Sequence, residues 1–132
     1  MATNLNVRSG RNYEFPFLQS AARTATPTKV NYLNHSARGV IVVIDVTAVT
    51  ASPSVVFTIQ GVDSTPATPK YWTILASAAI TGTGTTVLRV SPGLTAGANL
   101  VASDVLPHEW TIDCVHADAD SITYSVKAIL LP

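Results

Sequence analysis

The chain has 132 residues, of which 47% are hydrophobic and only 12% are charged, about half the charged share of an average soluble domain. This length suits one domain with its own hydrophobic core. No run approaches the roughly 20 apolar residues that a membrane-spanning helix requires, and the N-terminus lacks the apolar core of a secretory signal. The low charge therefore favours a non-membrane protein that hides part of its surface against other subunits.

Charge is unevenly distributed, although the formal net charge is zero. Residues 1–38 contain five basic residues and one acid, whereas residues 39–132 contain three basic residues and seven acids. A basic leading segment on an acidic body favours head-to-tail contact between copies, or an arm laid on another acidic surface. Ordinary solvated surface charge explains the same pattern. A few scattered cations are a weak signal for nucleic acid, so no direct nucleic-acid partner is expected.

Residues 1–28 are predicted to form an arm and linker that precede a domain over residues 29–132. Pro16 has no amide hydrogen to donate, which excludes a central strand, and the aromatic residues around it suit an arm anchored in a neighbour's groove. The alternative is an edge strand and loop packed on the chain's own body. The candidate partner or oligomer contacts are Arg8, Arg11, Tyr13, Phe15, Phe17 and Arg23.

The body shows the patterns of short β-strands. Residues 39–49 and 54–62 are rich in Val and Ile or alternate between apolar and polar side chains, and residues 71–80 follow as a third strand. Residues 92–105 are harder to assign and include one candidate helical turn. Further strands are predicted over the ranges 87–91, 110–115 and 122–130. Seven or so strands spaced by roughly ten residues predict an all-β fold, an antiparallel β-sandwich of jelly-roll or immunoglobulin-like type with an irregular N-terminal arm.

The segment VHADADSITYSV places His116, Asp118 and Asp120 at every second position. A hairpin connection explains this pattern, because Asp and Ser favour turns by binding nearby backbone amides. A cation site is the alternative. Hard cations need several converging oxygens, and these residues lack the spacing of a calcium-binding loop. The turn is the favoured interpretation, and no metal is expected.

The sequence contains no catalytic motif that we recognise, so no enzymatic activity, catalytic residue or cofactor is expected. It has neither a GxSxG nucleophile elbow nor a glycine-rich phosphate loop. The single cysteine, Cys114, is predicted to be a small buried hydrophobe rather than a nucleophile. Trp72 and Trp110 are predicted to pack in the core, with stacking on a ligand as the alternative. His35 and His108 are predicted to lie in surface turns.

The run KYWTILASAAITGTGTTVLRVSPGL, followed by NLVASDVLPHEWTIDCVHADADSITYSV, resembles a family of small structural proteins encoded by tailed bacteriophages and prophages. The resemblance covers about residues 39–130 and transfers no functional residue. It implies a β-sandwich without enzymatic activity, located in the virion at the capsid surface and assembled in the cytoplasm of the host bacterium. The implied role is capsid decoration, or that of a minor head or tail component.

Composition and resemblance together predict a capsid decoration, or cement, protein. Such a protein binds the major capsid protein of the mature head lattice and stabilises that lattice by mass action. The resemblance also implies a position on three-fold axes, which makes a homotrimer the first expectation. Another virion part, such as a tail or head–tail connector protein, is the alternative of the same kind. A carbohydrate- or ligand-binding β-sandwich module is the alternative of a different kind.

Overall fold

The computed structural model describes residues 13–132, which form two β-sheets packed face to face and contain no helix that could span a membrane. The first sheet has the strand order β1-β9-β3-β6-β7 and the second has the order β2-β8-β4-β5. All neighbouring strands are antiparallel except β6 and β7. The predicted all-β sandwich is confirmed. The strands of the described residues are β1 (Tyr13–Arg23), β2 (Tyr32–Leu33), β3 (Gly39–Val49), β4 (Val55–Asp63), β5 (Lys70–Ala76), β6 (Gly84–Val90), β7 (Val101–Ala102), β8 (Glu109–His116) and β9 (Ile122–Leu131).

The core lies between the two sheets and is built by alternation of side chains along each strand. In β3, the side chains of Val40, Val42 and Ile44 are fully buried. Phe57 of β4 approaches from the other sheet and meets Tyr124 of β9 edge to face, with 5.0 Å between the ring centroids. Full burial of a side chain of this size stabilises the fold by about 1.5–3 kcal/mol. The two sheets are therefore held together mainly by apolar contact.

Residues 13–23 form an edge strand of the first sheet where the sequence predicted an irregular arm. β1 pairs with β9, and register shifts on either side of Leu18 mark irregularities in the ladder. Pro16 is tolerated because β1 lies at the edge of its sheet, where a missing amide hydrogen can face away from the neighbouring strand. The strand is fixed by Phe17, whose side chain is buried in the core. Residues 1–12 of the predicted arm lie outside the described residues.

Residues 24–33 pass from the edge of the first sheet to the edge of the second, and we call them the strap. Near its start, the Thr26 hydroxyl accepts a hydrogen bond from the backbone amide of His116, at 2.9 Å. Further along, the Thr111 hydroxyl donates to the carbonyl of Val30, at 2.8 Å. The strap ends as β2, which pairs with β8. It therefore covers the edge of β8 that β4 leaves free.

Two strands, β5 and β6, have bounds that differ from the predicted ones by more than one residue. β5 ends at Ala76, and Ile80 makes only an isolated bridge. A register shift within the β4–β5 ladder makes Ile74 an extra residue, so Leu75 rather than Ile74 is buried. β6 begins at Gly84, earlier than predicted, because two β-branched threonines extend its ladder with β3.

Candidate interaction surface

Aromatic side chains from three elements fill the side of the sandwich where β1 and the strap lie. Phe15 and Phe17 of β1 each pack against Tyr32 of the strap, with centroid separations of 5.0 and 5.1 Å. Tyr32 lies 6.0 Å from the ring of Trp110, which is fully buried. Aromatic pairs at such separations contribute about 0.5–1.5 kcal/mol each beyond their buried area. We call these four residues the aromatic seam, and it ties both sheets to the N-terminal segment.

The predicted contact residues on β1 therefore fall into two groups. Phe17 is buried and Phe15 is half-buried within the chain's own aromatic seam. The guanidinium of Arg23 donates hydrogen bonds to the carbonyls of Tyr124 and Gln19, at 2.6 and 2.7 Å. Tyr13 differs, because 64% of it is exposed to solvent. Arg8 and Arg11 lie outside the described residues.

Tyr13 belongs to an apolar surface at the end of the sandwich where β1 begins and β9 ends. Leu33 of β2 is 58% exposed beside it. Two adjoining depressions of about 230 and 500 Å³ share Tyr13, Leu33 and Leu130 in their walls. We call these three residues, with Leu131 and Pro132, the apolar end. Its chemistry suits contact with another apolar surface.

The two histidines predicted in surface turns lie near this end. His35 is exposed and lines the larger depression. His108 is also exposed, with its ring centroid 5.8 Å from that of His35 and its Nδ1 3.0 Å from the carbonyl oxygen of Asn34. Their placement in surface turns is confirmed.

A second group of polar side chains gathers at the opposite end, around Tyr124. Its hydroxyl lies 3.0 Å from Nε2 of His116, and burial is the main cause that lowers the pKa of His116 and raises the pKa of Tyr124. Burial, followed by the nearby charge of Asp113, raises the pKa of the Cys114 thiol to about 12. A nucleophilic cysteine needs a lowered pKa. Burial and the charge of Asp113 therefore disfavour the thiolate form of Cys114. This agrees with the prediction that Cys114 is a small buried hydrophobic residue.

We expect the Cys114 thiol to resist modification in the folded protein at about pH 8, because it is buried and protonated. A chromogenic disulfide reagent should react promptly only after urea is added. Since folding raises this pKa from 9.0 to about 12, the thiol's contribution to stability is complete below pH 9 and is lost as the pH rises toward 12. Stoichiometric reaction of the folded protein, at the rate of the unfolded chain, would contradict the buried position.

Residues 117–121 connect β8 to β9, so the predicted polar turn is confirmed. The predicted hairpin is wrong, because β8 and β9 lie in different sheets and do not pair, and the turn instead carries the chain from one sheet to the other. A carboxylate oxygen of Asp118 accepts a hydrogen bond from the backbone amide of Asp120, at 3.0 Å. Asp120 in turn accepts one from the amide of Ser52, at 3.1 Å. Within residues 13–132, no three His, Cys, Asp or Glu side chains are grouped so that they could hold a metal ion. Both carboxylates therefore accept hydrogen bonds from backbone amides in turns.

The two tryptophans have different environments, although each stands in a strand. Trp110 is buried as predicted, whereas Trp72 is 47% exposed, so its predicted core position is wrong. Gly61 of β4 lies opposite both of them, one on each neighbouring strand. The ring of Trp72 lies so close to Gly61 that a Cβ there would overlap it. Trp72 is exposed because it stands on the edge strand, where one side lacks a neighbour.

Lys29 fastens the strap to the outer face of the second sheet. Its ammonium lies 2.9 Å from the side-chain oxygen of Gln60 and 3.7 Å from a carboxylate oxygen of Asp113. It also lies 3.4 Å from the centroid of the Tyr71 ring, in cation–π contact. One face of Tyr71 is therefore occupied by the chain itself.

Comparisons of the chain with protein-family models, with curated proteins and with solved structures found no match.

Proposed function

We propose that the protein is a structural component of a bacteriophage virion that decorates the capsid by binding the mature head lattice. The observation that carries the proposal is the apolar end, where Tyr13 and Leu33 present large exposed side chains on a chain with only 12% charged residues. A contiguous apolar patch with a polar rim is typical of protein-binding surfaces. The resemblance of residues 39–130 to phage structural proteins supports the same role.

Capsid decoration requires that the protein bind the lattice, and it requires no catalysed reaction. The partner is the major capsid protein, arranged as a lattice on the outside of the head. A protein that binds only the mature lattice stabilises that lattice. The stabilising free energy rises with the logarithm of the free protein concentration divided by Kd. Because each head offers many sites and the protein acts as a homo-oligomer, a modest contact at each apolar end suffices. The homotrimer expected from the sequence stays a prediction.

The test uses heads purified from the phage or induced prophage that encodes the chain. We expect the purified protein to co-sediment with expanded heads and to raise the temperature at which they release DNA. The double variant Tyr13→Asp, Leu33→Asp places two charges on the apolar end, and we expect it to bind at least about tenfold more weakly. Both residues are exposed, so the variant should keep the β-rich circular dichroism spectrum and the Tm of the parent.

Val115→Asp is the matched control, because Val115 is 45% exposed in β8 and lies outside the apolar end. It should bind heads as the parent does. Absence of the parent protein from expanded heads would reject the decoration role, and binding confined to tails or connectors would move the assignment to those parts. Equal binding of both variants would reject the apolar end as the contact.

A carbohydrate-binding module is the second candidate, favoured by the exposed ring of Trp72. An exposed aromatic face can stack on a sugar ring, and Gly61 lets this ring lie flat against the sheet. Glycan-array binding that is lost in Trp72→Ala, with an unchanged Tm, would support this function over decoration. We expect no glycan binding, because Tyr71 lies on the opposite side of the sheet from Trp72 and has one face of its ring occupied by Lys29.

A further inference from the structure

β5 is an open edge of the second sheet. Within residues 13–132 its only ladder is the one with β4, and the backbone of Lys70–Leu75 makes no other backbone hydrogen bond. Unpaired amides and carbonyls along an edge are a template for another strand. The feature goes beyond the proposed function, because it concerns the protein alone and needs no capsid.

The other strand edges of the described residues are protected, and β5 is the exception. β1 carries Pro16 and two register shifts, which interrupt further pairing. The free edge of β8 is covered by the strap. β7 has only two residues. β5 has no proline, and its single charged residue, Lys70, stands at its first position.

The first half of β5 is exposed on both faces. The residues Lys70 to Thr73 are all exposed, with Tyr71 on the outer side and Trp72 on the side of Gly61. An edge strand that leaves much of both faces exposed is stabilised less by its own domain than a central strand is, while Tyr, Trp and Thr are residues that favour strands. Exposed tryptophan and tyrosine are also the side chains most often found at the centre of protein contacts. Pairing of another strand with this edge would therefore bury these side chains further and satisfy the free backbone groups beside them.

We propose that two copies of the chain pair through β5, antiparallel and about a two-fold axis at Trp72, so that the second sheet continues from one copy into the other. An antiparallel edge is self-complementary under a two-fold axis, so a second copy offers the matching donors and acceptors. In this register Trp72 faces its own counterpart and Tyr71 faces Thr73. The shift at Ile74 confines regular pairing to the stretch around Trp72.

The charges of β5 favour this arrangement. Each Lys70 faces Ile74 of the other copy, and the two ammonium groups lie at opposite ends of the paired stretch. A parallel, in-register pair would instead bring the two Lys70 side chains together, which is destabilising. Charge thus selects the antiparallel two-fold pair.

The two-fold axis provides the test, because any charge added near it meets its own copy. Thr73 is exposed, and its counterpart would lie diagonally across the pair at about 7–8 Å. We expect the parent protein to show twice the mass of one chain by light scattering after size exclusion, whereas the homotrimer expected from the sequence would show three times that mass. Thr73→Lys and Thr73→Glu should each weaken the dimer by roughly tenfold in Kd. Mixing the two variants should restore the dimer, a rescue that a folding defect cannot produce.

Ser20→Lys is the matched control, since Ser20 is exposed on β1, the competing edge. It should leave the dimer unchanged. A parent protein that stays monomeric at all concentrations would overturn the inference, as would an oligomer unaffected by both Thr73 variants. Dissociation by Ser20→Lys alone would assign the contact to β1 and likewise overturn it. None of these results depends on heads, so this inference can fail while the decoration role stands.

Discussion

Deletion of residues 1–23 is expected to unfold the protein, and deletion of residues 1–12, which keeps all of β1, is its matched comparison. The longer deletion removes β1 and with it Phe15 and Phe17 of the aromatic seam. Loss of one buried phenylalanine side chain costs about 3–5 kcal/mol, and a whole domain is stable by only about 5–15 kcal/mol. Urea unfolding followed by circular dichroism measures the difference.

The point variant Phe17→Ala keeps the backbone of β1 and separates side-chain packing from strand pairing. It should lower the free energy of unfolding by about 3–4 kcal/mol, less than the whole deletion. The longer deletion also bares the edge of β9, so aggregation is expected with unfolding. If the deletion of residues 1–23 unfolded at the same urea concentration as the full chain, the edge-strand role of this segment would be refuted.

Gly39→Ala is expected to destabilise the protein by about 2–3 kcal/mol and to lower its Tm by roughly 5–15 °C. Gly39 opens β3, and a Cβ there would overlap the backbone carbonyl oxygen of Val90. Backbone atoms within a ladder cannot yield as a flexible side chain can, so the strands themselves must separate. Differential scanning calorimetry gives both quantities.

Gly82→Ala is the matched control for this change. A Cβ at Gly82 would meet no atom within 4 Å, and Gly82 is exposed in the turn before β6. Its free energy of unfolding should therefore change by no more than about 0.5 kcal/mol. Equal effects of the two substitutions would show that contact with Val90 does not set the cost.

Most strands could be predicted from the sequence because alternation of side chains directly reports a half-buried strand. β3, β8 and β9 follow this rule, since each has a neighbour on both sides. The rule failed for Trp72, because alternation shows which face a residue occupies but not whether its strand is at an edge. Trp110 and Trp72 both pair with Gly61. Trp110 is buried and Trp72 is exposed because β8 has a neighbour on each side, whereas β5 is an edge strand.

The N-terminal segment shows a different limit of sequence reasoning. Pro16 correctly excluded a central strand, but it could not decide between an arm and an edge strand. That choice depends on whether the body leaves a gap between its sheets that Phe15 and Phe17 can fill, which is a property of the assembled fold. The apolar end could not be predicted from the sequence for the same reason. Leu33 reaches the apolar end from β2 of the other sheet, and Tyr13 meets Leu130 through the pairing of β1 with β9.

That pairing has a consequence for how the protein is made. Of the strands within residues 13–132, β1 is the first to leave the ribosome, and its partner β9 is the last. Until β9 has been synthesised, Phe15 and Phe17 lack the strand that holds β1 against the core, and contacts between such distant segments form slowly. The nascent chain therefore carries an exposed aromatic segment until β9 has been made, and it depends on dilution or on chaperones to avoid aggregation until then.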